Sequence, residues 1–428
     1  MTYDVVILGG GPAGLSAAQV AARNGLCTLL VDRHTLPADE PSGEGLFPMA
    51  VTRLARLGIS RSDLLRFGRT FSTVRFVCES GDRIDARLAE GPGIALSRWQ
   101  LSALLLSRAR RQPLLHVREG VPARVEQSRQ GRATVIVGGA TLTPPLVIAA
   151  EGAYPGTRRA SAEPRPDARH AVRQQFATRL FSEHVEVHFC DGARAFVVPL
   201  ADDRVEITCI WDRARPVRVG DLDIVDFLKG FPSLGSRIAK ARPLGRVRGV
   251  RSLVPTAGPV VHTGLLELDA SHALDPLTGE SIAIALARAL LLETTVIPEL
   301  LVLRAGRQLG RSKMRAYLRA VHRVERFQRG VSRVFAHLNR FPATRRRLFA
   351  ALSRDPLLVQ KLLSVHQSAL SPLELPMRSL VSVLLDVASR DGTAAQPSQA
   401  SPFDPSGAVR ALPFASRRRG ELQHVPRA

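Results

Sequence analysis

The N-terminal stretch that ends at Asp32 constrains the fold more than any other part of the chain. It contains an apolar run rich in β-branched residues, a glycine motif, an alanine-rich helical segment and a second apolar run, at Tyr3–Leu8, Gly9–Gly14, Leu15–Asn24 and Leu26–Val31. The second run ends directly at the acid. Strand, glycine turn, helix, strand and acid in this order predict a Rossmann-like dinucleotide-binding unit rather than a simple glycine-rich turn.

Each glycine of the G-x-G-x-x-G motif has its own predicted role. Gly9 makes the tight turn, Gly11 lets the backbone approach a pyrophosphate, and Gly14 lets the helix pack against the strand. The helix N-terminus offers free N–H groups to phosphates, and Asp32 can accept hydrogen bonds from ribose hydroxyls. The cofactor-binding residues predicted here are Gly9, Gly11, Pro12, Ala13, Gly14, Asp32 and Arg33.

Length and composition indicate a globular chain with more than one domain. Its 428 residues are 45% apolar, and no uninterrupted apolar stretch has the length of a membrane span. The first strand begins by Tyr3, which leaves no room for a signal peptide, so we expect a cytoplasmic protein. The cysteines lack metal-ligand spacing, and we expect buried thiols and no metal site; they are Cys27, Cys78, Cys190 and Cys209.

The net charge of +22 allows more than one interpretation. Only four of the 60 basic residues are lysines, and most of the arginines are expected to be solvated. A basic balance also favours anionic membranes or acidic ligands. Nucleic acid is not an expected partner, because aromatic residues make up only 5% and no nucleic-acid-binding motif is present.

Three further stretches are candidates for contact with a ligand. Gly43 and Gly45 flank Glu44 in a loop that is either a surface turn or a backbone passing close to a flat ligand. Arg98 opens a predicted helix, where it can hold a phosphate or count as an ordinary surface charge. The loop Asp275–Ile282 launches another helix, whose N-terminus can face a phosphate or a ring or be a simple capped start.

The middle and the end of the chain have different patterns. Alternating strands are predicted at 71–75, 83–88, 185–189, 195–199 and 205–210, with a hairpin turn at Asp202–Asp203 and a helix over 221–231. Arg311–His366 is strongly helical and basic, with apolar residues at helical spacing. We interpret it as a helical region packed on the core with a solvated basic face; a helix at an anionic membrane surface would have the same pattern.

Taken together, these motifs resemble the flavin-dependent oxidoreductases that include geranylgeranyl reductases, aromatic hydroxylases and flavin halogenases. The resemblance covers about Thr2–Glu293, and Arg98 matches the family's arginine near the flavin phosphates. The matching motifs are Gly9–Gly14 with Asp32, Ser42–Pro48, Ala150–Arg158, and Leu268–Ala270 with Asp275–Ile282. Val197–Pro199 corresponds to a family strand that lines the substrate cavity.

The resemblance implies an extended FAD, with NADH or NADPH as a transient reductant. It places Asp269 near the ribityl chain and the Gly279–Ile282 turn near the flavin N1 and C2 carbonyl, where backbone N–H groups would stabilise negative charge. The further cofactor-binding residues that it implies are Gly43, Gly45, Arg98, Glu151, Gly152, Asp269, Pro276, Gly279, Ser281 and Ile282.

The expected fold class is α/β, with a Rossmann-like FAD-binding domain, an inserted antiparallel-sheet substrate domain and a C-terminal helical region. The predicted FAD-binding domain comprises 1–70, 95–165 and 245–300, and the substrate sheet 71–94 and 166–244. Basic helices are predicted over 301–390, followed by a disordered tail over 391–428.

The resemblance leaves hydroxylation and reduction open. Either would act on a hydrophobic small molecule, of polyketide, aromatic or isoprenoid-like type, in biosynthesis. Halogenation is disfavoured, because no lysine precedes Lys229 and the halogenases' W-x-W-x-I-P stretch is absent. The flavin carries the chemistry in this family, and candidates for a catalytic acid or base rest on position only: Glu44, His188, Asp275 and Glu280.

Some residues depart from the family pattern. Leu268 and Ser281 stand where the family has glycine, Glu151 replaces Asp, and Pro155 replaces Ser. We expect the side chain of Leu268 to crowd the flavin diphosphate and weaken FAD binding. The alternative function is therefore a flavoprotein fold that has lost FAD and acts as a binding or scaffold protein.

Overall fold

The computed structural model describes residues 2–38, 45–127, 132–152, 169–179, 182–212, 223–253, 263–268, 281–303, 306–367 and 370–388. Its strands are β1 (Val5–Leu8), β2 (Thr28–Val31), β3 (Gly45–Leu46), β4 (Arg69–Phe71), β5 (Thr73–Val77), β6 (Arg83–Arg87), β7 (Gly93–Ala95), β8 (Leu115–Arg118), β9 (Ala123–Gln127), β10 (Ala133–Val137), β11 (Ala140–Leu142), β12 (Leu146–Ala149), β13 (Arg169–Ala177), β14 (Val185–Cys190), β15 (Ala193–Ala201), β16 (Arg204–Asp212), β17 (Arg242–Leu253) and β18 (Leu265–Glu267).

The helices are α1 (Pro12–Arg23), α2 (Pro48–Arg56), α3 (Arg61–Leu65), α4 (Arg98–Ala109), α5 (Ile224–Leu228), α6 (Pro232–Ile238), α7 (Ser281–Thr295), α8 (Ile297–Leu301), α9 (Arg311–Arg340), α10 (Pro342–Leu352), α11 (Pro356–His366) and α12 (Met377–Ala388), with a 3₁₀ turn at Pro372–Glu374. The predicted disordered tail lies outside the described residues. Within them, no helix combines the length and apolar character needed to span a membrane.

A five-stranded parallel sheet forms the first layer, in the order β18-β12-β1-β2-β8. Val5 of the central strand is in register with Leu146 on one side and Thr28 on the other. The strands are short apolar runs because both faces are covered: α1, α4 and α7 pack on one face, and the small sheet β9–β10–β11 packs on the other. The predicted Rossmann-like unit and the α/β class are confirmed.

A seven-stranded sheet forms the second layer, in the order β17-β13-β16-β15-β14-β5-β6. Its neighbours are antiparallel except β5 and β14, which run parallel with Val74 opposite Val185. The Asp202–Asp203 turn connects β15 and β16 as predicted. β17 pairs with β13, which corrects the predicted boundary at 245, because the sheet continues to Leu253.

The helix predicted over 221–231 is present but shorter, as α5, and a further helix, α6, follows it. Residues 213–222 lie outside the described part of the chain, and both helices cover one face of the large sheet. The second begins at Pro232, since proline is favoured in the first turn of a helix and disfavoured in its interior.

The basic helix α9 packs on the first layer. Met314, Tyr317 and Val321 are buried in its core, and the Tyr317 hydroxyl donates to the Arg288 carbonyl at 3.0 Å. Glu325, the one acid of this helix, is buried and lies 2.5 Å from Nε of Arg288 on α7. The apolar residues of its N-terminal half are therefore occupied by packing, which agrees with the first interpretation of this region.

Candidate functional site

The glycine turn after β1 admits no side chain at two positions. Gly9 has φ +107°, and a Cβ there would lie 2.2 Å from the carbonyl oxygen of Ala150. A Cβ on Gly14 would lie 1.8 Å from the carbonyl oxygen of Gly9. Both positions therefore require glycine, and the backbone alone forms this surface. A surface made of bare backbone next to a helix N-terminus fits a bound diphosphate.

The N-terminus of α1 provides the hydrogen-bond donors. Gly11 is its N-cap, in an extended conformation (φ −72°, ψ 178°), and Pro12 occupies the first turn. Within the described chain no side chain caps this end, so the first-turn amides of Ala13 and Gly14 are left for a ligand or water. That Gly11, Pro12 and Ala13 contact the cofactor stays a prediction.

Asp32 lies at the carboxyl end of β2 and holds the glycine turn in place. Its Oδ2 accepts a hydrogen bond from the Gly10 N–H at 2.6 Å, and its Oδ1 accepts one from the His34 N–H at 2.7 Å. Each carboxylate oxygen can accept more than one hydrogen bond, so a ribose hydroxyl can bind here as well. Arg33 beside it is exposed.

Two further strands, β12 and β18, end at the same edge of the parallel sheet as β1 and its glycine turn. Ala150 donates from its N–H to the Leu8 carbonyl at 2.7 Å, and Leu268 donates to the Ala149 carbonyl at 2.8 Å. Glu151 follows directly; its Cα would be 3.1 Å from a Cβ on Gly9. The structure therefore brings the predicted residues Glu151 and Gly152 alongside the glycine turn, at the edge where open α/β sheets bind ligands.

Gly45 and Arg98 are placed by short local elements. Gly45 in β3 pairs with Ala95 in β7, and the chain then enters α4, which Arg98 begins. Ser97 and Gln100 form a capping box at this helix start. The Arg98 side chain is buried, and α4 packs against α1, so the guanidinium belongs to the interior of the predicted FAD-binding domain.

Ser281 and Ile282 begin α7, which packs against α1. Ile282 is buried in the shared core, and Arg53 of α2 donates to the Ala283 carbonyl at 2.8 Å. The remaining predicted site residues lie outside the described residues: Gly43, Glu44, Asp269, Asp275, Pro276, Gly279 and Glu280.

The structure corrects the prediction for Leu268. Its side chain has no solvent exposure and belongs to the apolar core between the parallel sheet and the helices, together with Leu266, Ile148 and Leu286. It therefore points away from any open phosphate-binding surface. A leucine at this strand end fills the core, which gives no support to the predicted crowding of the diphosphate.

His188 is also corrected as a catalytic candidate, because it is enclosed in a buried network under α6. Its Nε2 lies 2.7 Å from Glu186 Oε2, and its Nδ1 lies 3.0 Å from Ser233 Oγ. Arg237 donates to both oxygens of Glu186, at 2.9 and 3.0 Å. Burial alone would raise the pKa of Glu186, but the hydrogen bonds from His188 and Arg237 lower this pKa to about 2.

The opposite face of the large sheet carries a second polar group that the sequence did not reveal. Val198, Glu206 and Gln175 form a cross-strand row, so their side chains share the face away from α5 and α6. Glu206 Oε2 accepts from Gln175 Nε2 at 2.8 Å and from Arg173 Nη1 at 3.1 Å. Alternation along each strand was visible in the sequence, but the cross-strand partners were not.

Comparison with known proteins supports FAD as the cofactor. The family model described as "FAD binding domain" matches residues 2–218 of the chain. A menaquinone reductase of Mycobacterium tuberculosis is 50% identical over 58 residues, which is 14% of this chain and 14% of that protein. An aklavinone 12-hydroxylase of Streptomyces peucetius subsp. caesius is 36% identical over 92 residues, 20% of this chain and 19% of the relative. The chain thus matches only a small part of the length of these relatives.

Solved structures share the fold over most of the chain. A flavoprotein/dehydrogenase from Cytophaga hutchinsonii has a TM-score of 0.72 at 15% identity, covering 91% of this chain and 98% of that one. A geranylgeranyl bacteriochlorophyll reductase-like protein from Thermoplasma acidophilum has a TM-score of 0.64 at 18% identity, covering 91% and 96%. With the glycine turn, Asp32 and the family match in agreement, the chain belongs to the FAD binding domain family.

Proposed function

We propose that this chain is an FAD-dependent oxidoreductase that takes electrons from NADH or NADPH and acts on a hydrophobic small molecule. The observation that carries the proposal is the glycine turn, where Gly9 and Gly14 leave no room for a Cβ beside the open N-terminus of α1. FAD supplies two-electron redox chemistry when it is bound.

The chain's own residues bind and orient this cofactor. The amides of Ala13 and Gly14 would donate to the diphosphate, and Asp32 would accept from the adenosine ribose while its bond to Gly10 fixes the turn. The buried Arg98, which matches the family's arginine near the flavin phosphates, would add positive charge there. We assign no proton-transfer role to a side chain of the described residues. His188, the one catalytic candidate among them, is enclosed, and both of its ring nitrogens already have hydrogen-bond partners.

The substrate class is proposed from the relatives and from the large sheet. Menaquinone and aklavinone, named in two relatives, are both large and mostly apolar, in keeping with the predicted polyketide, aromatic or isoprenoid-like substrate. The sheet face that carries Val198 is apolar and lies in a core shared with α10 and α11, and the buried Arg173–Glu206 pair on the same face can orient a carbonyl or hydroxyl group. Two features favour reduction over hydroxylation: the short match to menaquinone reductases, and the Ser42–Pro48 sequence, which resembles the loop beside the flavin in the reductase branch of the family.

The alternative function, a flavoprotein fold that has lost FAD, loses its main support. It depended on a clash between Leu268 and the diphosphate, and that side chain is buried in the core. Ser281 begins a regular helix packed on the cofactor domain.

The test begins with the absorption spectrum of the purified full chain, alone and after reconstitution with FAD. Anaerobic mixing with NADH or NADPH then shows whether the bound flavin is bleached, and menaquinone or aklavinone is added with and without oxygen. Reoxidation by menaquinone without oxygen supports a reductase, whereas aklavinone-dependent oxygen consumption with a hydroxylated product supports a hydroxylase. A folded chain that binds no FAD after reconstitution overturns the proposal.

A further inference from the structure

Helix α12 has apolar side chains on two opposite faces. Its inner face packs on α10 and α11, where Val383 joins Ala351 and Leu358 in a small core and Leu380 packs against it. The outer face is defined here as Met377, Val381, Leu384 and Leu385. These four residues are 65%, 48%, 66% and 61% exposed, respectively.

The spacing of the outer face is that of one continuous stripe. Its residues stand at positions i, i+4, i+7 and i+8 of the helix, so they lie side by side along its length. Single exposed apolar residues are normal on a protein surface, but a contiguous group indicates an interaction surface. On α9, by contrast, the apolar stripe of the N-terminal half is buried in the core.

Exposed arginines are present on α12 and on the helix beneath it, and the exposed acid Glu374 stands three residues before Met377. Arg378 is exposed on α12 itself, and Arg346 is exposed on α10, the helix on which α12 packs. Asp386, the one acid of α12, lies 3.3 Å from Arg354, which offsets its charge. An apolar stripe with a basic surround is the pattern of a helix that lies in the plane of a lipid surface.

We propose that the outer face of α12 docks the protein onto an anionic lipid bilayer. The apolar side chains enter the boundary between headgroups and acyl chains, and the arginines contact the lipid phosphates. A second copy of the chain is disfavoured as the occupant, because each copy carries a net charge of +22 and like charges repel. With 12 residues, α12 lies on the bilayer and does not cross it.

The test uses the full-length holoprotein in flotation with two kinds of vesicle, phosphatidylcholine alone and phosphatidylcholine mixed with phosphatidylglycerol. The outer-face variant is Leu384→Ser with Leu385→Ser. The matched control is Leu301→Ser with Val302→Ser. It replaces two adjacent apolar residues on another part of the surface, which are 57% and 77% exposed. Wild type and control should float with the anionic vesicles at low salt, and high salt should weaken this binding.

The partition coefficient of the outer-face variant onto anionic vesicles should fall at least about tenfold, because two leucine side chains are no longer transferred from water into the bilayer. In a separate variant, Leu384→Trp should show blue-shifted fluorescence, quenched by brominated acyl chains, on the anionic vesicles. Wild-type protein that does not float at low salt overturns the proposal, as does equal flotation of wild type and the outer-face variant. A dimer mass by light scattering that the outer-face variant converts to a monomer, without vesicle binding, also overturns it and makes a second copy the occupant.

Discussion

The guanidinium of Arg345 holds the carboxylate of Glu79 through two hydrogen bonds, Nε to Oε2 at 3.0 Å and Nη2 to Oε1 at 2.7 Å. Arg345 is on α10 and has no solvent exposure, whereas Glu79 lies in the turn between β5 and β6. Burial would raise the pKa of Glu79, but the bonds from Arg345 lower it overall. Arg345 Nη2 also lies 2.9 Å from Oδ1 of Asp191, between β14 and β15, so Arg345 joins the C-terminal helices to the large sheet through two carboxylates.

Replacing Arg345 should destabilise the chain strongly. Arg345→Met leaves a largely buried carboxylate without its cation, which costs about 3–5 kcal/mol of the free energy of unfolding. Arg346→Met, at the exposed neighbouring position, should stay within about 0.5 kcal/mol of wild type. Denaturant unfolding compares the two, and equal stability of both variants would contradict the role given to this ion pair.

Asp32 should matter for FAD through its bond to Gly10. Asp32→Ala removes the acceptor that fixes the turn and should weaken FAD binding by about 10- to 100-fold. Asp32→Asn keeps one oxygen for the Gly10 N–H and should lose less. Titration of apoprotein by quenching of flavin fluorescence measures both, and an Asp32→Ala variant with wild-type affinity would remove Asp32 from the site.

Gly11 offers a cleaner test of the diphosphate position. Its extended backbone tolerates a side chain, so Gly11→Val should fold yet purify without flavin colour. Gly310 is the N-cap of α9 with a similar backbone (φ −71°, ψ 151°), and a Cβ there would meet open space among the described residues, which makes Gly310→Val the matched control. Equal flavin content in Gly11→Val and Gly310→Val would show that no pyrophosphate lies at Gly11.

Leu268 should behave as a core residue. Leu268→Ala should lower the free energy of unfolding by about 2–5 kcal/mol, because it leaves a cavity in the buried cluster. Leu301→Ala, at an exposed leucine, should change stability little. Flavin occupancy of the folded protein should not rise in Leu268→Ala; a clear rise would restore the idea that this side chain crowds the cofactor.

Glu186 should make stability depend on acid pH. Its pKa in the folded protein is about 2, below the ordinary value of 4.5, so its contribution is complete above pH 4.5 and is lost as the pH falls towards 2. The full shift corresponds to about 3 kcal/mol. Glu186→Gln should be less stable at neutral pH, and its difference from wild type should shrink on acidification. A difference that stays constant down to pH 2 would show that Glu186 does not titrate in this way.

The cofactor half of the fold could be predicted because its signals are local. Strand, glycine turn, helix and acid follow one another between Tyr3 and Asp32, and each acts on its neighbours in the chain. The edge strand β17 was not predicted from the sequence, because its many arginines obscure the alternation of apolar and polar residues that is typical of a strand. The helix α6, which begins at Pro232, lies beyond the predicted range of 221–231 and was not predicted.

The errors at the site have a common cause, which is contact between distant residues. Leu268 was compared with a family glycine, but only the packed helices show that its side chain enters the core. His188 could be taken for a catalytic base until Arg237 and Ser233 were seen around the Glu186 pair. These partners come from another element of the structure, and no spacing along the chain predicts them.

The parallel pairing of β5 with β14 limits how this protein can be recombined with its relatives. The chain leaves the large sheet after β6 at Arg87, contributes β8 and β12 to the parallel sheet, and returns with β13 at Arg169. Neither sheet is encoded by one contiguous block. Grafting a different substrate specificity onto this cofactor domain therefore takes at least two exchanged segments, 73–87 and 169–253, with the Val74–Val185 register matched between them.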